Sequence, residues 1–370
     1  MNNLLNDIEE ILLMGPGPSC VHPKVYEALS RKTLGHLDPH FIKIMDEIKI
    51  LLKKLLNTKN NLTLPLSGTG SAGMEACLVN LIEPKDKVLV LINGVFGKRM
   101  QEVAIRLGAN VDTLEFEWGT PIQPELVREK LINSSYKVVA AVHAETSTGV
   151  RNPIEKIAPF FKDSESFFLV DAVTSLGGME VKMDEWNIDA LYSGSQKCLS
   201  CPPGLAPSSF SDRAFDSIMN RKTKVPNWYL DMSLIGQYWQ QERKRVYHHT
   251  APINMLYALY QALVMFFEEG AENVFKRHME CHEMLKSELN NMGLKMFVKE
   301  PYQLPMLNAV AIPEGVDEAK VRKILRSDYK IEIGAGLGPL AGKIWRIGLM
   351  GHTARKDNVE IFLNALKEVL

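Results

Sequence analysis

The chain contains 370 residues, of which 46% are hydrophobic and 24% charged, and its formal net charge is -1 at pH 7. This balance gives no electrostatic basis for binding nucleic acid or an anionic membrane, and no apolar run is long enough to cross a bilayer. A chain of this length exceeds one compact core, so we expect a large domain and a smaller one.

Apolar runs typical of buried strands alternate with amphipathic stretches over most of the chain. Strands are predicted at residues 87–92, 138–143, 167–170, 190–193 and 206–210, and helices at residues 97–107, 125–132 and 154–161. Such alternation predicts an α/β domain, with a mostly parallel sheet flanked by helices. Ligands of these sheets bind at the carboxyl ends of the strands, so residues that follow a strand are the first site candidates.

The pattern changes near residue 270. A long amphipathic helix (271–289) precedes an apolar run (309–312), a shorter helix (317–325) and a second apolar run (344–347). These elements predict a smaller α+β domain. We therefore divide the chain into an N-terminal arm (1–15), a large ligand-binding domain (16–269) and a small C-terminal domain (270–370).

The five cysteines do not form a recognisable metal or disulfide framework; they are Cys20, Cys77, Cys198, Cys201 and Cys281. An odd number, scattered along the chain, favours free thiols in a reducing compartment. Cys198 and Cys201 have the spacing of a redox or metal motif, but there is no second pair to complete a four-cysteine zinc site. We interpret them as small buried thiols and predict no metal site.

Two candidate binding features lie beside predicted elements. Small residues occupy positions 67–73, Ser-Gly-Thr-Gly-Ser-Ala-Gly, and precede a helical run at 74–81. A helix N-terminus presents unpaired N–H groups that suit a phosphate, although most glycine-rich turns only turn the chain. Lys197 follows a strand end, where poor hydration lowers the pKa of an amine and makes it nucleophilic; the alternative is a lysine that reaches solvent.

Two further charged residues interrupt apolar runs. Asp171 ends a buried strand, where a carboxylate without a cationic partner is costly; alternatively, it caps the following segment. Arg346 lies between apolar residues and needs a carboxylate or phosphate partner, for which an internal acid such as Glu332 is the alternative. A reactive lysine, a buried acid, a helix end and an arginine together predict a site for pyridoxal phosphate and an amino-acid carboxylate.

The sequence resembles the class V (fold type I) aminotransferases, in particular the alanine–glyoxylate / serine–pyruvate aminotransferase group. The similarity covers nearly the whole chain and is carried by residues 14–19, 44–48, 145–150, 171–178, 193–197, 202–204, 247–250 and 346–351. The segments Ser-Gly-Ser-Gln-Lys (193–197) and Tyr-His-His-Thr (247–250) are its most specific markers. The resemblance implies a large domain with a mostly parallel sheet and a smaller C-terminal α+β domain.

The resemblance also implies roles around the cofactor ring. Lys197 matches the lysine that carries pyridoxal phosphate covalently, and Asp171 matches the acid on its pyridine nitrogen. Val173 matches the residue under the ring, and Gln196 a residue beside the ring and phosphate. Thr146 stands where the family has a hydroxyl near the phenolic oxygen of the ring.

The phosphate and substrate contacts follow in the same way. Gly70 and Ser71 match phosphate ligands of the home subunit, whereas Tyr247 and Thr250 match ligands lent by a partner subunit, which implies a homodimer. The substrate carboxylate is assigned to Arg346, with Gly17 as a second substrate contact.

Two positions depart from the best-known animal members of the group. Phe96 stands where they stack a tryptophan on the ring, and Ser71 where they have histidine. Each change preserves an aromatic face or a hydrogen-bond donor, so cofactor affinity and fine specificity are affected rather than the reaction type.

The resemblance implies transamination between a small amino acid, alanine or serine, and glyoxylate or pyruvate. A sister activity on a bulkier donor such as 3-hydroxykynurenine is the enzymatic alternative. A non-catalytic scaffold is disfavoured because buried Lys197, Asp171 and Arg346 would be costly without a role. The N-terminus has no secretory pattern and the C-terminus no Ser-Lys-Leu-like address, so we expect a cytoplasmic enzyme.

Overall fold

A seven-stranded sheet forms the centre of the computed structural model, which describes residues 3–240 and 244–370. The strands are β1 (Leu12–Leu13), β2 (Leu62–Ser67), β3 (Lys87–Ile92), β4 (Asn110–Glu115), β5 (Val138–Val142), β6 (Ala144–Glu145), β7 (Val150–Arg151), β8 (Phe167–Asp171), β9 (Ala190–Tyr192), β10 (Leu205–Phe210), β11 (Leu307–Ala311), β12 (Ile331–Glu332), β13 (Gly334–Ala335) and β14 (Ile344–Gly348). The order in the large sheet is β2-β10-β9-β8-β5-β3-β4. Only β10 runs antiparallel to its neighbours, so the predicted mostly parallel α/β sheet is confirmed.

Helices cover both faces of this sheet and continue into the C-terminal part. They are α1 (Pro23–Leu29), α2 (Pro39–Leu55), α3 (Gly70–Leu81), α4 (Val95–Arg106), α5 (Pro124–Asn133), α6 (Ile154–Ile157), α7 (Asp212–Met219), α8 (Met232–Trp239), α9 (Ile253–Glu269), α10 (Ala271–Asn291), α11 (Glu318–Asp328) and α12 (Lys356–Val369). Short 3₁₀ helices occupy Leu4–Asp7, Ala158–Phe161, Trp228–Leu230, Gly338–Leu340 and Gly351–Thr353. The predicted helix over 154–161 is therefore one α-helical turn followed by a 3₁₀ turn.

The two edge strands of the large sheet were not predicted from the sequence. Pro65 lies inside β2, and a proline cannot donate to a strand ladder, yet an edge strand tolerates it. β4 contains only two apolar residues, Val111 and Leu114, and is only partly buried, so it lacks the continuous apolar run that identified the central strands. The two strands of this sheet that the sequence did not predict, β2 and β4, are thus the ones that pair with a neighbour on one side only.

A second, smaller sheet forms beyond the long helix α10. β11, β14 and β13 are antiparallel and pack with α10, α11 and α12 around a separate hydrophobic cluster that includes Trp345 and Phe362. Met14 joins this cluster, and β1 pairs with β12, so the end of the N-terminal arm packs with the C-terminal part. The division at residue 270 into two domains stays a prediction.

The cysteines are all free thiols, and four of them are buried. Burial raises the pKa of both Cys198 and Cys201 to about 12, which suits inert thiols rather than a redox pair. Within the described residues, no helix is long and apolar enough to span a membrane.

Candidate active site

Lys197 lies in a short segment after β9, with its amine directed towards the N-terminal segment. Its Nζ donates a hydrogen bond to the carbonyl oxygen of Pro16. A Cβ atom added to Gly17 would lie 2.6 Å from Nζ, so only glycine leaves room for the amine there. Burial lowers the pKa of Lys197 to about 8, as predicted for a desolvated amine.

Asp171 ends β8 and is held by two donors. Its Oδ1 accepts from the backbone N–H of Val173 at 2.8 Å, and its Oδ2 accepts from the Tyr192 hydroxyl at 2.7 Å. Tyr192 is its register partner on β9. Burial raises the pKa of Asp171 to about 6, although the Tyr192 hydrogen bond opposes this shift. No helix begins at Asp171, so it is not a helix N-cap, but its bond to the Val173 N–H does cap the turn that follows β8.

Val173 lies between two glycine-containing turns at the carboxyl edge of the sheet. A Cβ atom on Gly70 would lie 3.2 Å from one Val173 methyl carbon, and a Cβ atom on Gly194 would lie 3.3 Å from the other. Gln196 approaches the same turn, because its Oε1 would lie 2.7 Å from a Cβ atom on Gly194. This Oε1 is buried and has no hydrogen-bond donor among the described residues.

The N-terminus of α3 opens towards this cluster. The helix begins at Gly70, four residues earlier than the predicted helical run, so Gly70 and Ser71 form its first turn. Thr69 is the N-cap but makes no side-chain cap hydrogen bond, whereas its carbonyl accepts from Ala72 and Gly73. Within the described part of the chain, the N–H groups of Gly70 and Ser71 have no acceptor, so they are available to an anion.

Arg346 lies on β14 of the small sheet and is 6% exposed. Its Nε donates to the carbonyl of Ala335 at 2.7 Å and its Nη1 to the carbonyl of Thr146 at 3.2 Å. Arg346 forms no ion pair among residues 3–240 and 244–370, so the pairing with Glu332 is wrong. The charge of Glu145 nevertheless acts on the guanidinium and raises its pKa, against the larger effect of burial. Burial lowers the pKa of Arg346 to about 10, and the guanidinium retains N–H groups for an external anion.

The lysine and arginine are linked through the N-terminal segment. The N–H of Gly348, two residues after Arg346, donates to the carbonyl of Met14 at 2.7 Å. The segment from Met14 to Gly17 therefore lies between β14 and the Lys197 amine. The N-terminal segment thus contacts both the strand of Arg346 and the amine of Lys197.

Glu145 is a buried residue of this region to which the sequence assigned no role. Its carboxylate accepts from the N–H of Phe96 at 3.2 Å, the N–H of Gly97 at 3.4 Å and both the N–H and hydroxyl of Ser147. Burial raises the pKa of Glu145 to about 7, and the Ser147 hydrogen bonds oppose the shift. The following residue, Thr146, is buried and supplies the carbonyl that Arg346 contacts.

Tyr247 and Thr250 are exposed and contact each other rather than the cluster. The Tyr247 hydroxyl lies 3.2 Å from the Thr250 hydroxyl, and 53% of Tyr247 is exposed. His249, between them, lies 2.7 Å from the Ser67 hydroxyl at the end of β2. The pair is therefore presented on the surface near the turn that leads into α3.

The arrangement fits pyridoxal phosphate. The unpaired N–H groups of α3 suit its phosphate, the buried Asp171 suits a pyridinium, and the Lys197 amine suits its aldehyde. The Gln196 amide oxygen is a buried acceptor that still needs a donor. Phe96 is only partly buried, so one face of its ring is left for a contact.

Residues 22–360 match the sequence profile of the family described as Aminotransferase class-V. The chain belongs to the class-V aminotransferases. This aminotransferase uses pyridoxal phosphate and has the fold type I architecture, which confirms the resemblance, the activity class and the cofactor expected from the sequence.

Characterised relatives of the aminotransferase are similar over nearly their whole length. It is 42% identical to the alanine–glyoxylate aminotransferase of Drosophila melanogaster, over 97% of this chain and 92% of the relative. It is 41% identical to the (S)-ureidoglycine–glyoxylate transaminase of Bacillus subtilis, over 97% of this chain and 90% of the relative.

A solved structure of an alanine–glyoxylate aminotransferase from Nostoc sp. superposes on the aminotransferase with a TM-score of 0.95. The two are 45% identical, and the match covers 100% of this chain and 99% of the other. The whole of the fold described above is therefore shared with this structure.

Proposed function

We propose that this aminotransferase transfers the amino group of a small amino acid, alanine or serine, to glyoxylate. Two relatives of almost equal similarity carry glyoxylate in their names, although their amino donors differ. The observation that carries the proposal is that the buried Lys197 amine and the buried Arg346 guanidinium act on each other electrostatically, while Arg346 donates hydrogen bonds only to backbone carbonyls among the described residues. Pyruvate is the second acceptor to test.

Lys197 and Asp171 perform the central roles in this proposal. When bound, pyridoxal phosphate supplies an electron sink for the bonds at the substrate α-carbon. Lys197 holds the cofactor in the resting enzyme, and its amine then moves the proton at the α-carbon; its lowered pKa places the base near neutral pH. Asp171, oriented by Tyr192, holds the proton on the pyridine nitrogen.

Arg346 and Gly17 bind the substrate. The free N–H groups of Arg346 would donate hydrogen bonds to the α-carboxylate of the substrate. The contact with the Thr146 carbonyl fixes the plane of the guanidinium. Gly17 lies against the Lys197 amine, where even a methyl group would collide.

The other predicted residues hold the cofactor. Gly70 and Ser71 would bind its phosphate through the N–H groups of the first turn of α3, and the Gln196 NH₂ group would donate to the ring or phosphate oxygens. Phe96 and Val173 would contact the two faces of the ring, and the Thr146 hydroxyl would be the donor to its phenolic oxygen. Phe96 and Ser71 keep the aromatic and hydrogen-bonding character that these contacts need.

A donor panel tests the reaction. Mixing the holoenzyme with alanine or serine should remove the visible absorbance of the lysine-bound cofactor, and added glyoxylate should restore it. (S)-Ureidoglycine and 3-hydroxykynurenine are the competing donors, and pyruvate is the competing acceptor. If only ureidoglycine removed this absorbance, the proposed donor class would be wrong. If no amino donor removed it, the proposed reaction would be wrong.

The active unit that we propose is a homodimer in which Tyr247 and Thr250 of one chain complete the phosphate site of the other. The Tyr247 ring packs against His36 within its own chain, but its hydroxyl bonds only to that of Thr250 among the described residues. The exposure of these two neighbouring side chains supports a contact with the partner subunit. A Lys197→Ala chain mixed with a Tyr247→Phe/Thr250→Ala chain should regain activity, because one of the two hybrid sites is then intact. Activity of isolated heterodimers is the measurement.

A matched mixture controls for that result. Lys197 and Asp171 belong to one chain, so Lys197→Ala mixed with Asp171→Asn should show no rescue in the same assay. No activity in the first heterodimer would argue for sites built from a single chain, and equal activity in both would show that the regained activity does not come from shared sites.

We also propose a cytoplasmic location. The support is that all five cysteines are free thiols, as is usual for proteins of a reducing compartment. Fractionation of cells that express the tagged protein tests this placement.

A further inference from the structure

We propose that Glu145 is a positioning residue. Its carboxylate joins the N-terminal end of α4, which faces the cofactor site, to the segment of Thr146, whose carbonyl Arg346 contacts. The proposal rests on the proposed function, because it concerns the affinity and orientation of the bound cofactor. Glu145 itself contacts neither reactant in this assignment. It acts through the residues that do.

The carboxylate is surrounded by donors. One oxygen accepts from the N–H of Phe96 and the N–H of Gly97, in the first turn of α4. The other accepts from the N–H of Ser147 at 3.1 Å and the Ser147 hydroxyl at 2.5 Å. An anion at a helix N-terminus also interacts favourably with the helix dipole. Both oxygens are therefore committed to different segments of the site.

The Glu145 side chain packs directly against the backbone of Gly94. A Cβ atom added to Gly94 would lie 2.4 Å from both Cδ and Cγ of Glu145, and 2.5 Å from the Ser147 hydroxyl oxygen. Any larger residue at position 94 must displace the carboxylate or the N-terminus of α4. The glycine thus provides a way to move Glu145 without removing its charge.

The two segments that Glu145 joins carry different parts of the site. Phe96, on α4, is the aromatic residue assigned to the cofactor ring. On the other side, Thr146 is the neighbour of Glu145 in the chain and accepts a hydrogen bond from Arg346. A shift of Glu145 would therefore move the ring contact relative to the substrate arginine.

An amide cannot replace this carboxylate without loss. In either orientation, the Glu145→Gln side chain sets an NH₂ group against at least one backbone N–H, from α4 or from Ser147. The charge-assisted character of the four contacts is lost as well. Burial raises the pKa of Glu145 to about 7, and the hydrogen bonds from Ser147 and Gly97 oppose this shift because they stabilise the ionised form.

The test compares Glu145→Gln with Glu102→Gln, an identical change on the exposed face of the same helix. We expect apoprotein of Glu145→Gln to bind pyridoxal phosphate at least about tenfold more weakly. The visible circular dichroism of the bound cofactor should fall as well, because its ring is less firmly oriented. Glu102→Gln should match the wild type in both measurements.

Gly94→Ala and Ser147→Ala provide the second readout if Glu145→Gln does not fold. Both should weaken cofactor binding, Ser147→Ala less because it removes one of four donors. Wild-type cofactor affinity and dichroism in the folded variants, with only a lower Tm, would make Glu145 purely structural and overturn the proposal. That result would leave the aminotransferase assignment intact, since the donor panel on the unchanged enzyme tests it separately.

Discussion

Lys197→Ala should lower the rate of amino transfer from alanine by roughly 10²–10⁴-fold, the usual contribution of a positioned proton-transfer group. The wild-type amine is buried, its pKa is lowered to about 8, and it lies beside Gly17. At a pKa of about 8, roughly a tenth of the amine is neutral at pH 7 and able to accept a proton, far more than for a lysine with its ordinary pKa of about 10.4. Alanine at this position removes both the base and the covalent anchor. Single-turnover loss of the cofactor absorbance measures the effect.

A surface lysine supplies the control for this change. Lys182 forms ion pairs with Glu180 and Glu185 and lies outside the site, so Lys182→Ala should keep the wild-type rate. Added methylamine should partly restore Lys197→Ala, since a small amine can enter the space vacated by the side chain. Borohydride reduction of the wild type should place the pyridoxyl group on Lys197; its recovery on another lysine would remove the assignment.

The features recovered from sequence are those with strong local signals. Lys197 and Asp171 follow central strands, whose unbroken apolar runs mark them, and a parallel sheet brings such strand ends together. Arg346 was recognised because a guanidinium among apolar residues needs an anion. In each case one short stretch of sequence contains both the apolar strand and the charged residue that is unusual there.

The features that sequence reasoning missed depend on contacts between distant segments. Glu145 follows an apolar run as Asp171 does. Its proposed role, however, depends on N–H donors of α4 that lie 48 and 49 residues away in the chain. Tyr192 could have been found by pairing β8 with β9, because Asp171 and Tyr192 share a register position. The early start of α3 was hidden by its glycines, which have low helix propensity and here give close approach to Val173.

Arg346→Lys should lower kcat/KM by about tenfold to a hundredfold for every amino-acid donor. Lysine keeps the positive charge but loses the planar fork that binds both oxygens of a carboxylate. Loss of a hydrogen bond to a charged group costs about 1.5–3 kcal/mol, and each 1.4 kcal/mol is a factor of ten. The wild-type guanidinium is held by the carbonyls of Ala335 and Thr146, so its remaining N–H groups are fixed in direction.

Orientation explains why the loss should appear in kcat as well as in KM. A carboxylate gripped at two points sets the angle of the α-C–H bond relative to the cofactor ring, whereas a single ammonium contact lets the substrate rotate. Steady-state kinetics with alanine, serine and glyoxylate should therefore show both parameters changed in Arg346→Lys. A matched control is Arg322→Lys, since Arg322 pairs with Glu318 on α11, away from the site.

Thermal unfolding separates this role from a structural one. Arg346 contacts two backbone carbonyls, so lysine should also cost some stability by leaving at least one of them unpaired. A kinetic defect that persists well below the Tm of the variant locates the effect in substrate binding. Wild-type kinetics with alanine, accompanied by a lower Tm, would mean that Arg346 only fastens β14 to the loop at Thr146, and the carboxylate site would then have to be sought elsewhere.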